Sequence, residues 1–538
     1  MGSVSSYLRD VYHGIGGLLA TILEGGESFN LALARIAAPR LPAQNPTASF
    51  WQQQPPYPEL VNVHSDKLPA STDIVIIGSG MSGASIAHTI LNECRSMGIS
   101  RQVVILEGRT TCSGATGRNG GHIKVAPVGE YAKLKKRFGA ASAGKILAFY
   151  MKHLPFLLQL AKYEGLEKGE AREVKTIDAF TDPNVMRKAV EMLDVLRGDL
   201  PDIAEGIDVL DAEAIQDQFG FSSQFHGGMT YLSGAMWPYR FVTSTYASLL
   251  AKFPSELSIE TGTMVHEIQV IIDPDTPFLL KTSRGDIKGA HVVHATDAFV
   301  ANLVPGLVGK VFPVRGHMSA QRPGKSFPEY NGGVSWSLVG SKGYEYISQR
   351  PGLPDAVDGL GAEIMTGGGI FHGNGSGVDE VGQWGDDEIA HPIGSYLSGV
   401  LSVSFSSRFW GEDADGSTVK SMWTGSMGHT ADMMPFIGRL SPSLTKRPVK
   451  MIQSSREVVD KGPGPSEWIS AGFNGSGMVM TWLSGVATGL MVLGRENVKS
   501  EGQYWRPEGI VKDWLPDEFL CSPERVSRSS IYEFPKLV

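Results

Sequence analysis

Residues 73–83 read Asp-Ile-Val-Ile-Ile-Gly-Ser-Gly-Met-Ser-Gly, and this stretch leaves the chain little choice of local fold. Ile74, Val75, Ile76 and Ile77 are β-branched residues in a row, the composition of a short strand buried on both faces. Gly78, Gly80 and Gly83 then supply G-x-G-x-x-G: the first for a tight turn, the second for close backbone approach to a pyrophosphate, the third for helix packing on the strand. Ser79, Met81 and Ser82 complete the turn, which points a helix N-terminus at phosphate. A second apolar run, 103–106, ends in Glu107, at the roughly 20-residue spacing expected of an acid that binds adenosine ribose. An acid there disfavours a 2′-phosphate and leaves NAD or FAD.

The rest of the chain bounds the reading. Its 538 residues can hold two or more cores, and a net charge of −8 gives no basic footprint for nucleic acid. Three scattered cysteines, Cys94, Cys112 and Cys521, argue against a disulfide framework or a zinc site and fit a reducing, cytoplasmic setting. No apolar run reaches the 18 residues a spanning helix needs. Leu8, Val11, Tyr12, Ile15, Leu18, Leu19, Ile22 and Leu23 fall at helical spacing. The favoured reading is a helix packed on the protein's own surface. Met1-Gly2 followed by Ser6 also fits N-myristoylation, which would give weak membrane association.

Residues 39–69, rich in Pro, Gln and Asn, read as an extended lead-in draped over a folded body. Helical patterns dominate 130–218, for example 143–164. Strand-like stretches return at 227–237, 264–272, 278–282 and 289–296. Residues 311–320, 333–339, 343–349 and 398–406 alternate like strands of an antiparallel sheet, around a Gly/Asp-rich loop at 351–396. The expected architecture is α/β: a Rossmann-like nucleotide-binding domain from 70–129, 238–310 and 420–500, interleaved with an antiparallel-sheet substrate domain from 130–237 and 311–419. Segments 1–69 and 501–538 are the lead-in and the tail. Such interleaving places a ligand at the interface.

Two further segments choose between the cofactors. Residues 112–122, Cys-Ser-Gly-Ala-Thr-Gly-Arg-Asn-Gly-Gly-His, are nearly free of bulky side chains, so their backbone can lie against a large flat ligand. Residues 471–478, Ala-Gly-Phe-Asn-Gly-Ser-Gly-Met, open a helix whose N-terminus would stabilise negative charge on a reduced flavin. With Trp423-Thr424-Gly425, Thr430-Ala431-Asp432 and Pro435-Phe436-Ile437-Gly438, these segments resemble the D-amino acid oxidase-like (DAO) family of FAD oxidoreductases over roughly 71–495. The stretch 115–121 looks most like the γ-glutamylputrescine oxidoreductase branch, which has many fungal members.

The resemblance implies a glutathione reductase/DAO-like fold and non-covalent FAD, since residues 421–430 hold no cysteine. It implies that Gly78, Ser79, Gly80, Met81, Ser82 and Gly83 hold the pyrophosphate, Glu107, Gly108 and Arg109 the ribose and adenine side, and Val265 the adenine through its backbone. Thr296 would sit near the pyrophosphate. Ala115, Thr116, Gly117, Arg118, Asn119, Gly120, Gly121 and His122 would line the flavin, and Gly472, Asn474, Gly475, Ser476, Gly477 and Met478 would reach its pyrimidine end. The implied reaction is hydride transfer from a C–H next to nitrogen to flavin N5, with O2 reoxidising the flavin to give hydrogen peroxide. Catalytic candidates are Arg118 and His122 beside the ring, and Arg315 and His317 on a facing strand, with Arg315 either clamping a substrate carboxylate or pairing with a structural acid. Trp237, Trp336, Tyr344 and Tyr346 are either pocket wall or core. His429 is either catalytic or satisfied by backbone. His122 and Cys112 are the side chains that could bond the flavin covalently. The partners expected are a small amine or amino acid and O2. Alternatives are a flavin-dependent tailoring oxidase or dehydrogenase of a secondary metabolite or hydroxy acid, and a non-enzymatic escort of prenylated GTPases on a related fold.

Overall fold

The protein is described by a computed structural model covering residues 26–341, 343–352, 361–448 and 462–532. The amphipathic segment 8–23 and Gly2 lie outside these residues. Two sheets organise the chain. The first runs in the order Phe436–Arg439, Ser466–Ala471, Gly285–His294, Ser71–Ile77, Val103–Leu106, Leu257–Glu260. Ser71–Ile77 lies at its middle, parallel to Gly285–His294 and to Val103–Leu106. That position explains the unbroken apolar run, because Ile74, Val75, Ile76 and Ile77 are covered on both faces. Val265–Val270 and Phe278–Thr282 form an antiparallel ribbon joined to Gly285–His294.

Helix Met81–Ser96 leaves the glycine turn and packs against helix Thr481–Val492. Small residues make this approach close. A Cβ built on Gly485 would stand 2.6 Å from Ser85 Oγ and 3.2 Å from the Ser82 carbonyl, and one on Gly489 would stand 3.0 Å from Thr89. Ser85 Oγ donates to the Trp482 carbonyl at 2.6 Å, so two helices remote in sequence are joined at this point.

The second sheet runs Val419–Thr430, Val311–Gln321, Ile364–Gly367, Tyr344–Gln349, Val334–Val339, Arg172–Phe180, Gly227–Ala235, His122–Ile123. Its pairings are antiparallel except that between Val334–Val339 and Arg172–Phe180. Alternation gives the sheet two different faces. Ile177, Trp336 and Ile347 point into an aromatic core with Phe221, Phe225 and Phe405. The residues between them, Thr176, Asp178, Ser335, Ser337, Tyr346 and Ser348, share the opposite face by register. That polar face meets the glycine-rich loop at 114–121, because Ser348 Oγ donates to the Gly120 carbonyl at 3.4 Å.

The sequence-based expectations differ from this structure in four places, the first being that His122–Ile123, expected within the nucleotide-binding segment 70–129, is a strand of the second sheet. Residues 398–406 belong mostly to a helix, His391–Ser404, in which Ile393, Leu397, Val400, Leu401 and Ser404 form the buried stripe. Its last turns, read through a short window, also alternate like a strand. The stretch 351–396 is not loop throughout, since it contributes strand Ile364–Gly367 and the start of that helix. Val419–Thr430, expected among the nucleotide-binding segments, is the edge strand of the second sheet, and it is Phe436–Arg439 that joins the first. No helix among the described residues is long and apolar enough to cross a membrane.

The close helix crossing makes a direct prediction. Gly485→Val should destabilise the protein by about 1–3 kcal/mol through overpacking. The measurement is the urea midpoint of purified protein; an unchanged midpoint would show that the helices do not approach as closely as Ser85 and Gly485 imply.

Candidate functional site

A groove of about 1370 Å³, its open mouth included, opens at the C-terminal ends of the central parallel strands. It takes in residues 77–82 of the glycine turn, Leu106, Glu107, Gly108 and Arg109, Thr263, Met264 and Val265, and the strand end at Ala295, Thr296 and Asp297. Gly114, Ala115, Thr116 and Asn119 of the glycine-rich loop line it, as do Ser426, Met427, Phe473, Gly475, Gly477 and Met478.

The glycine turn has the shape a pyrophosphate requires. Gly78 has φ +110°, and a Cβ there would lie 2.5 Å from the Ala295 carbonyl oxygen, so only glycine fits. A Cβ on Gly83 would collide with the Gly78 carbonyl. Gly80 caps helix Met81–Ser96 without any side-chain hydrogen bond, so the positive helix end faces the groove. Thr296 Oγ1 lines the same groove, buried and without a protein partner. An orphaned hydroxyl, a helix start at the glycine turn and a groove that runs from that turn past Glu107 to Val265 on one side and to Met478 on the other all fit a dinucleotide such as FAD.

Glu107 is anchored as well as exposed to the groove. Ser79 donates to its Oε2 from the hydroxyl (2.6 Å) and from the amide (3.2 Å), and the Arg109 amide donates to Oε1 at 2.9 Å. A carboxylate offers about four acceptor positions, so capacity remains for a ribose hydroxyl. Arg109 itself is turned elsewhere. Its guanidinium makes a two-pronged pair with Asp386 at 2.9 and 3.0 Å and also donates to the Ala43 and Ser113 carbonyls.

The loop 114–121 is held by its own neighbours. Thr116 Oγ1 accepts from the Met81 amide at 3.0 Å, and Asn119 Oδ1 accepts from the Gly121 amide at 2.7 Å. Gly117 and Gly121 lie against the Cys112 and Met236 carbonyls, where no Cβ fits. Arg118 is buried, donating to the Ser113 and Thr424 carbonyls and pairing with Asp386 at 3.2 Å, so its guanidinium braces the loop. Burial lowers its pKa to about 10 against the opposing pull of Asp386, and it stays charged at neutral pH. The lead-in supports the loop from behind: Ser49 Oγ donates to the Gly117 carbonyl at 2.7 Å, and the Trp51 indole donates to the Asn119 carbonyl.

Other candidates are placed as follows. His122 sits on the strand next to this loop, its Nε2 2.9 Å from Ser335 Oγ. Burial first, then Lys124 and Arg172, hold its pKa well below the usual imidazole range. Gly472, Asn474 and Ser476 shape the loop ahead of the 481–492 helix without lining the groove, whereas Gly475, Gly477 and Met478 line it. Asn474 Oδ1 accepts from the Thr430 amide at 2.8 Å, which ties this loop to the second sheet. Cys112 is buried, and its thiol is pushed well up by burial and then by Glu107, so it is neither ionised nor at the groove.

Arg315 and His317 are each engaged by the protein itself. Arg315 Nε donates to Glu380 at 2.6 Å, and both side chains are buried, so the guanidinium serves a structural acid. His317 Nε2 accepts from the Ala390 amide at 3.0 Å, and burial with the Arg315 charge lowers its pKa to about 3. Trp336 is core, and Trp237 stacks on Phe50. Tyr344 is 56% exposed, while Tyr346 packs on Gly120 of the loop and donates to Met318 Sδ at 3.2 Å. His429 Nδ1 meets the Met427 carbonyl at 3.2 Å.

Sequence reasoning missed Asp297. Its Oδ1 accepts from the Gly472 (2.9 Å) and Phe473 (3.2 Å) amides, and its Oδ2 from the Gly428 amide at 2.7 Å. The only available signal was an acid one residue past the small-residue strand end, and its partners lie more than a hundred residues away.

Comparison with known proteins agrees with this geometry. Residues 73–489 match the family described as DAO, FAD dependent oxidoreductase. Compared with curated protein sequences, the chain finds no match. Among solved structures, glycine oxidase from Geobacillus kaustophilus is similar at 17% identity and a TM-score of 0.55, over 80% of this chain and 96% of that one. Iminodiacetate oxidase from Chelativorans sp. is similar at 14% identity and a TM-score of 0.56, over 81% and 98%. L-amino acid deaminase from Proteus vulgaris is similar at 17% identity and a TM-score of 0.54, over 84% and 97%. At such identities these structures share the fold.

Asp297→Ala leaves three backbone donors without their acceptor, at about 1–3 kcal/mol each where they stay dry. Purified variant should lose bound dinucleotide on gel filtration at dilutions where the wild type keeps it. A wild-type ratio of cofactor to protein would show that the Asp297 clamp does not shape the groove.

Proposed function

The chain belongs to the DAO family of FAD-dependent oxidoreductases, and from that premise we propose that it oxidises a carbon–nitrogen bond of a small amine or amino acid to the imine, with O2 as final acceptor and hydrogen peroxide as product. One observation carries the reading. The groove's lining at Asn119 comes from the glycine-rich loop that meets the hydroxyl-bearing face of the second sheet, and its lining at Met427 from that sheet's edge strand, with Gly475 and Met478 from the loop tied to that strand. A substrate between them would lie against a flavin on one side and ordered polar groups on the other. The named solved neighbours, enzymes of glycine, iminodiacetate and L-amino acids, support the choice of a C–N substrate.

Residues of this chain supply binding and orientation. The backbone at Gly78 and Gly80, the start of helix Met81–Ser96 and the Thr296 hydroxyl would hold the pyrophosphate, with Glu107 on the ribose and Val265 at the adenine. Residues 115–121 and 475–478 would lie along the ring. When bound, FAD supplies the hydride acceptor and the route of the electrons to O2. The site's part is to present the reacting C–H at a fixed distance and to keep water out.

Cys112 is buried and un-ionised, and His122 Nε2 is engaged by Ser335, which supports a non-covalent cofactor. Arg315 is committed to Glu380, so a carboxylate on the substrate would have to be held by other groups. The stretch 115–121 supports placement near the γ-glutamylputrescine oxidoreductase-like branch, with its fungal members, and a cytoplasmic setting is part of the same proposal.

Acid precipitation of the yellow protein should release all FAD into the supernatant; colour retained in the pellet would mean a covalent link. In the absence of oxygen, members of a panel of primary and secondary amines and amino acids should bleach the flavin, and hydroxy acids should not. Bleaching by a hydroxy acid or alcohol while every amine is silent would overturn the proposed reaction. Arg315→Met should lower stability without selectively raising KM for carboxylate-bearing substrates over plain amines.

A further inference from the structure

Before it reaches the glycine-rich loop, the lead-in passes along the groove between two fixed points. Upstream, helix Gly26–Ala37 buries Phe29, Ala32 and Ile36 against Phe312, Val314, Val378 and Val381. Arg35 donates to the Val381 carbonyl at 2.9 Å and to the Val378 carbonyl at 3.0 Å, which fixes that end. Downstream, the Thr47 amide and hydroxyl both donate to the Asp386 carbonyl, at 2.8 and 2.9 Å. Residues 38–46 join these anchors without helix or strand. Pro39, Pro42 and Pro46 fix φ at three places and keep the segment stiff.

Two hydrogen bonds tether this segment part-way. Asn302 Nδ2 donates to the Arg40 carbonyl at 2.9 Å, and Arg109 Nη1 donates to the Ala43 carbonyl at 3.0 Å. Asn302 follows strand Gly285–His294, and Arg109 follows strand Val103–Leu106. These strands flank Ser71–Ile77 in the first sheet, so a segment tied to both spans the end of the central strand, where the glycine turn begins. Strands two positions apart lie about 10 Å from each other, and three extended residue steps cover about 10 Å, so the tethered stretch matches the crossing in length. Leu41 and Pro42, the residues between the tethers, line the groove together with residues 78–82.

We propose that residues 39–46 form a strap across the pyrophosphate of bound FAD, latched by Asn302 and Arg109 as positioning residues, so that FAD enters and leaves only when a latch opens. The proposal rests on the reading that puts the pyrophosphate at the glycine turn, and it is independent of the bond the enzyme oxidises. It gives Arg109 a role other than the ribose and adenine contact expected from the sequence: the guanidinium, paired with Asp386, spends a further donor on the strap. Both latches bond protein to protein, so their strength enters the barrier to passage and not the affinity. The bond from the Arg109 cation is charge-assisted and the one from the Asn302 amide is neutral, so the strap opens from the Arg40 side.

The test follows cofactor exchange in holoenzyme. Incorporation of FAD labelled with ¹⁴C in the adenine, supplied in large excess, gives the release rate. The fraction of FAD retained at equilibrium over serial dilution gives Kd, and the ratio of the two gives the association rate. P39G/P46G loosens the strap at two residues that do not line the groove, and N302A removes the weaker latch. Each should raise release and association together by about five- to tenfold, the worth of one neutral hydrogen bond or of two stiffening prolines, with Kd little changed. Release at the wild-type rate in both variants, from a protein that holds FAD, overturns the strap. Faster release with an equal rise in Kd also overturns it, because a lost ligand contact or a generally loosened groove weakens affinity whereas a gate does not. A wild-type chain that takes up no FAD overturns the reading of the groove and the strap with it.

Discussion

A single carboxylate aligns the two sheets. Asp297 follows strand Gly285–His294 of the first sheet with φ +45°, and it accepts from Gly428 on the edge strand of the second sheet and from Gly472 and Phe473 ahead of helix Thr481–Val492. Hydrogen bonds to an ionised acceptor are roughly twice as strong as neutral ones, and three converge here. Gly428 is needed for the approach, since a Cβ there would lie 2.5 Å from Asp297 Oδ1. Asn474 extends the join, with its amide donating to the Gly428 carbonyl at 2.7 Å and its Oδ1 accepting from Thr430. The groove is thus walled by segments that share one set of hydrogen bonds.

A second carboxylate does the same for the glycine-rich loop. Asp386 sits between Arg109 and Arg118, and all three side chains are buried. Thr47 accepts from Arg118 and from the Thr424 amide, and the Trp51 indole reaches Asn119. What the composition of 39–69 suggested was a covering segment; in the structure it is a brace, with Trp51 wedged against Trp237. A loop shaped by protein contacts before a ligand arrives does not have to be ordered by binding, and the cost of ordering is removed from the affinity. That accounts for a groove-lining loop rich in glycine yet tightly bonded.

What could be read from the sequence follows from the range of each signal. The glycine turn, its flanking strands and the loop at 114–121 are local patterns, visible within a dozen residues, and the structure carries them at the groove. Asp297, Asp386 and Glu380 act on partners far away in the chain, and an isolated acid in a sequence does not show whom it meets. Arg315 illustrates the consequence. A basic residue on a strand expected to face the flavin is chemically suited to a carboxylate, and only the position of Glu380 shows that the guanidinium is already committed. The helix His391–Ser404 failed for a different reason, since Gly, Val, Leu and Ser alternate in its last turns while burial follows Ile393, Leu397 and Leu401.

The fates of Arg315 and Lys124 point the same way. Each cation is held by an acid of its own at 2.5–2.6 Å. Opening either pair to a ligand would expose a buried charge without its partner, at a cost that a single new ion contact would have to repay in full. The other groups on this face are neutral: the Tyr346 ring over Gly120, the serine and threonine hydroxyls, and the His122 imidazole. Neutral groups set direction more than they set affinity. In the proposed reaction, where the bound cofactor would take the hydride, direction is what the protein has to contribute, and a face whose charges are already paired would add little net field at the reacting carbon.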